Sequence, residues 1–207
     1  MIKGLLSSYV RTLTHDRHPV EEFRYVHAAR KVVGVGSVGT RCFILLLVGR
    51  DDDDPLFLQV KEAQPSVLER FLGPSEYENN GERVVVGQRL MQAASDIFLG
   101  WDRVTDFEGV TSDYYLRQFH DWKGGVDVEA LGVESSAGYA RLCGATLARA
   151  HARWGDRIAI ASYLGKSDTF DQAIADFATC YADQNQRDYE SLVAAVESGR
   201  LPATPGY

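Results

Sequence analysis

Cysteine is scarce in this sequence of 207 residues, and the three cysteines present lie far apart without a C-x-x-C pair: Cys42, Cys143 and Cys180. This spacing fits neither a disulfide framework nor a zinc site. Each cysteine lies among apolar neighbours, so we expect buried free thiols. The cysteine content therefore favours a reducing, cytoplasmic location.

Long apolar runs and an excess of basic residues are also lacking. The longest apolar run, Cys42 to Val48, is far shorter than the roughly 20 residues of a membrane span, and the N-terminus does not resemble a signal peptide. Lys and Arg total 22 against 29 Asp and Glu, a formal charge of −7. Nucleic acids and anionic membranes require clustered cations. We therefore expect a soluble chain with neither a nucleic-acid nor a membrane partner.

Two polar clusters lack the features of a metal site. The acidic run Asp51 to Asp54 is followed by Pro55, which favours a solvated turn. His15 and His18 are three residues apart, but no third ligand is placed to complete a site. The sequence therefore predicts no metal ligands.

A glycine motif is present in "KVVGVGSVGTRCFILLL", where Gly34, Gly36 and Gly39 form a G-x-G-x-x-G. Dinucleotide-binding domains place such a loop before a helix, whereas kinases place it between two strands. The residues after Gly39 are apolar throughout, which predicts a buried strand. The kinase-type hairpin is favoured, and an NAD(P)-binding oxidoreductase is the weaker alternative.

The remaining elements follow the order of a kinase N-terminal lobe. "PLFLQVKEA" predicts a third strand with Leu56, Leu58 and Val60 on one face and Phe57, Gln59 and Lys61 on the other. A helix in "GERVVVGQRLMQAASDIFLGW", strands in "WDRVTDF" and "DYYLRQFHDW", and C-terminal helices come next. We predict an α+β, protein-kinase-like fold with a five-stranded antiparallel N-lobe-type sheet and one helix. The boundaries are a helical lead-in at 1–28, the N-lobe at 29–125 and a helical part at 126–207.

This layout predicts a nucleotide site. Backbone N–H groups of a glycine hairpin meet phosphates, and a lysine on the next strand reaches them while an acid on the following helix holds it. Lys61 has the position of that lysine, although a snorkelling strand-end lysine would look the same. Glu69 and Glu82 are both candidates for the acid. The predicted nucleotide-binding residues are Gly34, Gly36, Ser37, Gly39 and Lys61.

No catalytic residue is assigned. "HARWGD" offers His151, Arg153 and Asp156 near the place of the kinase H-R-D motif, but the spacing differs by two residues and no suitable Asn follows. The two cations are better explained by the end of a helix, where positive charge is favoured. Trp122 and Trp154 have the chemistry to stack on adenine, but aromatic residues beside helices are usually core.

Several stretches resemble a bacterial family of unknown function, DUF2252, which is grouped with protein-kinase-like folds. They are "RKVVGVGSVGTRCFILLLVGRDDDDPLFLQVKEAQPSVLER", "GQRLMQAASDIFLGW", "LARAHARWGD" and "YADQNQRDYESLV". The resemblance runs from about Arg30 onward. It implies a kinase-like fold and a nucleotide, ATP with Mg²⁺, as the cofactor, but it supplies no substrate.

The chain departs from that family in one respect. Members are longer, and an upstream G-D-x-H-x-x-N-F-G segment and a D-F-N-D-like stretch resemble a catalytic loop and metal-binding acids. Neither motif occurs here, and phosphoryl transfer depends on such groups. We therefore expect a missing N-terminal segment, and phosphotransferase activity only where that segment completes the site. The competing hypothesis is a non-catalytic scaffold whose acidic tract and helical part bind a protein partner.

Overall fold

A five-stranded antiparallel sheet forms the centre of the fold. The computed structural model describes residues 6, 8–13, 19–31, 39–105, 109–119 and 124–204. The strands are β1 (Arg24–Arg30), β2 (Cys42–Val48), β3 (Pro55–Ala63), β4 (Gly100–Thr105) and β5 (Thr111–Gln118). They lie in the order β1-β2-β3-β5-β4. The predicted α+β class with a five-stranded antiparallel sheet is therefore confirmed.

The sheet has one apolar face. Because side chains alternate along a strand, β2, β3 and β5 direct every second residue to the same side. Leu45, Leu47, Leu56, Leu58, Val60, Tyr114 and Leu116 form a buried cluster there with Tyr9, Leu13, Val20 and Phe98. The predicted alternation on β3 is confirmed, since Leu56, Leu58 and Val60 lie in this cluster. Lys61 is consequently directed to the opposite face.

Three helices of the first part of the chain lie after β3 in the sequence. The short helix α1 (Glu69–Leu72) and the longer helix α2 (Asn80–Met91) lie between β3 and β4 in sequence, and α3 (Val133–Trp154) follows β5. Helix α2 packs on β3, β4 and β5, and also contacts α3. Its first turn is capped by Asn79, whose side chain accepts hydrogen bonds from Gly81 N at 2.8 Å and Glu82 N at 3.1 Å.

The chain divides into two compact units, Met1–Trp154 and Gly155–Tyr207. The second contains α4 (Arg157–Leu164) and α5 (Thr169–Glu197). Asp156 caps α4 by accepting hydrogen bonds from Ile158 N and Ala159 N. Helix α3 belongs to the first unit, whereas the sequence grouped it with the C-terminal helices in a part spanning 126–207. Among the described helices, none combines the length and apolar character needed to cross a membrane.

Three predictions require correction. Strand β1 occupies Arg24–Arg30, so the helical lead-in does not extend to residue 28. Helix α2 ends at Met91, and residues 92–99 are not helical. The expectation of buried thiols holds for Cys42 but is wrong for Cys143 and Cys180, which are exposed. Both exposed cysteines lie in helices, Cys143 in α3 and Cys180 in α5.

Candidate functional site

The glycine motif connects two neighbouring strands. Strands β1 and β2 pair antiparallel, with Arg30 opposite Phe43, and Lys31 N donates to Cys42 O at 2.9 Å. Gly39 ends the connection with φ of 82°, a left-handed conformation that glycine adopts without a steric penalty. Gly34, Gly36 and Ser37 lie outside the described residues. A strand follows Gly39, whereas a dinucleotide-binding loop is followed by a helix. This order of elements argues against the dinucleotide-binding alternative.

Three cations lie on the face of the sheet opposite the apolar cluster. Lys61 is the cross-strand partner of Cys42, and Lys31 lies beside Cys42 on the other flank. Arg117 is opposite Gln59, two residues before Lys61 on β3. Directly opposed residues share a face with Cβ atoms about 5 Å apart. We call the surface formed by Lys31, Cys42, Gln59, Lys61 and Arg117 the cation face.

The pKa of the Cys42 thiol reflects this arrangement. Burial raises the pKa of Cys42, and the positive charges of Lys61, Lys31 and Arg117 oppose the rise, as does a hydrogen bond with Gln59. All three cations are therefore close enough to act on one buried atom. Any anion placed over Cys42 would meet the same three charges.

Arg117 is held in place by Gln59. Its Nε and Nη2 atoms both donate to Gln59 Oε1, at 3.0 and 2.9 Å, and Gln59 is 4% exposed. The planar guanidinium is thereby oriented along the cation face. Sequence analysis missed both Arg117 and Lys31. Alternation places Arg117 on a definite face of β5, but only the pairing of β5 with β3 places it beside Lys61.

Neither candidate acid pairs with Lys61. In the described part of the chain, Lys61 forms no ion pair. Glu69 instead accepts from Ser66 N at 3.0 Å at the start of α1, and Glu82 lies in the first turn of α2. The neighbouring Glu62 binds Arg41 Nε at 3.0 Å, on the side of the sheet away from Lys61. Among the described residues, the half-buried ammonium of Lys61 is therefore not neutralised by a carboxylate.

An apolar pocket adjoins the cation face. It has a volume of about 370 Å³ and is lined by Ile44, Pro55, Phe57, Gln118 and Phe119. Phe119 N donates to Phe57 O at 2.8 Å, which brings Phe119 beside the start of β3. Lys31 Nζ lies 4.8 Å from the centroid of the Phe119 ring and so links the pocket to the cations. A planar apolar group bearing an anionic tail would match this pairing.

Helix α2 borders the cation face. By register, Trp101 and Asp113 point to the same side of the sheet as Lys61. Asn80 on α2 binds Asp113, and the Arg89 guanidinium carbon lies 5.7 Å from the centroid of the Trp101 ring. The helix therefore covers the β4–β5 side of this face. The helix also contacts β3, the strand that bears Lys61.

The remaining candidate residues make local contacts. His151 Nδ1 lies 2.8 Å from Leu147 O, Arg153 Nη1 donates to Met91 O, and Asp156 caps α4. Trp154 is 67% exposed, whereas Trp122, His15 and His18 lie outside the described residues. The acidic run forms a turn closed by a hydrogen bond from Asp54 N to Asp51 O. Within the described residues, no three His, Cys, Asp or Glu side chains are grouped to bind a metal.

These features define an α+β protein with an open antiparallel sheet and a cationic surface on one face of β1, β2, β3 and β5. The sequence matches, over residues 1–195, the family described as "Uncharacterized protein conserved in bacteria (DUF2252)". The chain belongs to this family. Searches of curated proteins and of solved structures give no match.

Proposed function

We propose that the chain is a kinase-like domain that binds a nucleotide on the cation face, with ATP as the expected ligand. The observation that carries the proposal is Lys61, half-buried and without an ion pair in the described part of the chain, beside Lys31 and Arg117. Ammonium and guanidinium groups form their strongest hydrogen bonds with phosphate and carboxylate oxygens. A nucleotide supplies such oxygens at one end.

The base has a separate place in this proposal. The pocket of Ile44, Phe57 and Phe119 offers apolar and aromatic surface next to the cations, and ligand sites typically combine such a lining with a few polar groups. The phosphates then lie toward Lys31 and Lys61, and the glycine motif Gly34, Gly36, Ser37 and Gly39 is the second proposed contact for them. Lys61 contributes charge, and the glycines let backbone N–H groups approach.

Phosphoryl transfer is not assigned to these residues alone. Mg²⁺ that accompanies ATP requires oxygen ligands, and the described residues contain no group of three acids, histidines or cysteines. Magnesium would neutralise charge on the transferring phosphate. The chain's own contribution is to bind and orient the nucleotide, and transfer would require the segment with the upstream motifs.

Thermal shift tests the proposal. A ligand that binds only the folded state raises the unfolding midpoint, so ATP should raise the unfolding midpoint of the chain. The shift is measured separately in EDTA and in MgCl₂. Lys61→Ala should remove most of the shift. Arg50→Ala is the matched control, because Arg50 is exposed and pairs with Asp51 at 2.9 Å. An unchanged shift in Lys61→Ala would refute the role of this lysine, and a larger shift with NADH would favour the dinucleotide alternative.

A second function, binding of a protein partner, is supported by α5. The rings of Phe177 and Tyr181 stack with centroids 5.6 Å apart, yet these residues are 62% and 59% exposed. Ile174 and Phe170 extend the same exposed stripe. Exposed apolar surface of this kind marks interaction sites.

The charge of α5 indicates the kind of partner. The helix has one basic residue, Arg187, and six acidic residues: Asp171, Asp176, Asp183, Asp188, Glu190 and Glu197. The partner we infer is therefore an amphipathic helix with basic flanks.

Two synthetic helical peptides test this function, one of Leu and Lys and one of Leu and Glu. The basic peptide should bind the full chain, and Phe177→Asp should abolish binding, as measured by fluorescence anisotropy. Thr179→Asp adds the same charge about 200° around the helix from position 177 and should retain binding. Equal binding of both peptides, or equal loss in both variants, would contradict an apolar stripe with acidic flanks.

A further inference from the structure

We propose that Lys31, Lys61 and Arg117 bind the polyphosphate of the nucleotide directly, so that binding does not depend on a divalent metal ion. This inference rests on the proposed function and assigns the chemistry of the same site. It concerns binding alone and makes no statement about the transfer step. Arg117 and Lys31 become specificity-determining residues of the site, alongside Lys61.

The first step is that the three cations share one surface. Lys61 and Lys31 flank Cys42 on its two sides, and Arg117 lies diagonally from Lys61 across β3 and β5. Diagonal neighbours on one sheet face are about 7–8 Å apart, within reach of long side chains. The three charged groups can therefore converge on one chain of phosphates.

The second step is that acids do not neutralise them. In the described part of the chain, no carboxylate pairs with Lys31, Lys61 or Arg117. The two hydrogen bonds from Arg117 go to the neutral Gln59, which orients the guanidinium and leaves its charge uncompensated. By contrast, Arg41 beside β2 and Arg103 on β4 are paired with Glu62 and Asp113. The cation face thus differs in charge balance from these two positions.

The third step concerns the ligand. Free ATP is more negatively charged than its magnesium complex, because Mg²⁺ neutralises part of the polyphosphate. Direct ion pairs gain from each additional negative charge, so three protein cations favour the metal-free form. A site that recognises the polyphosphate through bound Mg²⁺ would show the opposite preference. The ratio of the two dissociation constants therefore distinguishes the mechanisms.

Isothermal titration calorimetry measures the ratio of the two dissociation constants. The full chain is titrated with ATP, once in EDTA and once in excess MgCl₂. We expect a dissociation constant in EDTA equal to or lower than that in MgCl₂. A higher dissociation constant in EDTA would overturn direct recognition while leaving nucleotide binding intact. Binding in neither buffer would instead refute the proposed function itself, so the two failures are distinguishable. Inorganic tripolyphosphate should compete with ATP in EDTA, and failure to compete would also overturn the inference.

Single substitutions identify the groups involved. Lys31→Gln, Lys61→Gln and Arg117→Gln should each weaken ATP binding in EDTA by about tenfold or more, as for loss of a charge-assisted hydrogen bond. Binding of adenosine should change little. Arg117→Lys keeps the charge and should retain most of the affinity for ATP that Arg117→Gln loses. If Arg117 acted only through its hydrogen bonds to Gln59, the lysine variant would lose that affinity as well. Arg50→Gln, with a cation outside this surface, should bind as the unchanged protein does.

Discussion

Two buried aspartates on neighbouring strands, Asp113 on β5 and Asp102 on β4, have opposite electrostatic environments. Burial alone would raise the pKa of Asp113, but hydrogen bonds from Arg103 and Asn80 hold its pKa below the ordinary value. Burial also raises the pKa of Asp102, and there the hydrogen bonds from Ser8 and Arg103 N do not compensate. The ionised carboxylate therefore stabilises the fold at Asp113 and destabilises it at Asp102.

We predict that Asp113→Asn lowers the free energy of unfolding at pH 7 by about 1–3 kcal/mol, as for a lost charge-assisted hydrogen bond. Asp113 is 7% exposed while Arg103 is half-exposed, which moderates the loss. Asp102→Asn, the matched control, removes a disfavoured charge and should cost less than 1 kcal/mol or increase stability. Urea unfolding measures both changes. A larger loss for Asp102→Asn than for Asp113→Asn would contradict the assignment.

The pH dependence of stability follows from the direction of the pKa shift of Asp113. Because the folded-state pKa of Asp113 is lowered, its stabilising contribution is fully present above the unfolded pKa of about 3.9 and is lost as pH falls through the folded value. Unfolding midpoints of the unchanged protein should fall below about pH 4. Asp113→Asn should reduce that fall. A fall of equal size in the variant would show that other carboxylates account for the acid sensitivity.

The residues of the candidate site were only partly predictable. Lys61 is predicted because "QVKEA" places a lysine on the strand after the glycine hairpin. Alternation in "PLFLQVKEA" predicts its face, and the structure confirms that face alone. Lys31 and Arg117 were missed because their proximity arises from the pairing of distant segments. No local pattern encodes which residue of β5 lies opposite Gln59. The same limitation explains why the sequence could not choose between Glu69 and Glu82.

At the scale of elements, the start of α2 depends on a close backbone approach. A Cβ atom at Gly81 would lie 2.2 Å from Tyr114 O and 2.8 Å from Tyr114 C, whereas a Cβ at Gly87 meets nothing within 4 Å. Both glycines lie in the same helix, and alanine is the better helix former by about 1 kcal/mol. Local propensity alone would therefore predict the same gain at the two positions.

We predict instead that alanine substitutions at Gly81 and Gly87 change the stability in opposite directions. Gly87→Ala should stabilise the protein by about 0.5–1 kcal/mol, whereas Gly81→Ala should destabilise it by about 1–3 kcal/mol, because α2 must shift away from β5. Thermal unfolding followed by circular dichroism measures both. Equal gains in the two variants would mean that α2 does not pack this closely on β5.

The elements that the sequence predicted best are those with a buried face. Strands β2 and β3 have strong apolar patterns, and β2 pairs with β3 along the whole length of β2. Strand β1 lies at the edge of the sheet and is largely exposed, so it lacks an apolar pattern, and its residues resemble a surface helix. Helix α4 lies in the part predicted to be helical, but its bounds were not predicted, because its eight residues provide barely two turns of periodicity.

At the scale of the whole molecule, the two units differ in how much apolar surface they bury. In the first unit, β2, β3 and β5 contribute residues that are nearly inaccessible, such as Leu47, Leu58 and Leu116. Among the described residues of the second unit, only Ala195 is buried. The apolar stripe of α5, with Phe170, Ile174, Phe177 and Tyr181, is exposed. The sequence predicts which residues are apolar, and it does not specify what covers them.

This difference predicts unequal local stability. Segments with few buried contacts open at low free energy, whereas central strands exchange only through global unfolding. In hydrogen exchange of the full chain, amides of β3 and β5 should therefore be the most protected, and those of α5 should exchange much faster. Addition of the basic amphipathic peptide should slow exchange in α5 and leave β3 unchanged, because binding stabilises only the segment it covers. Equal protection of α5 and β3 in the chain alone would contradict this, since it would require the apolar stripe of α5 to be buried already.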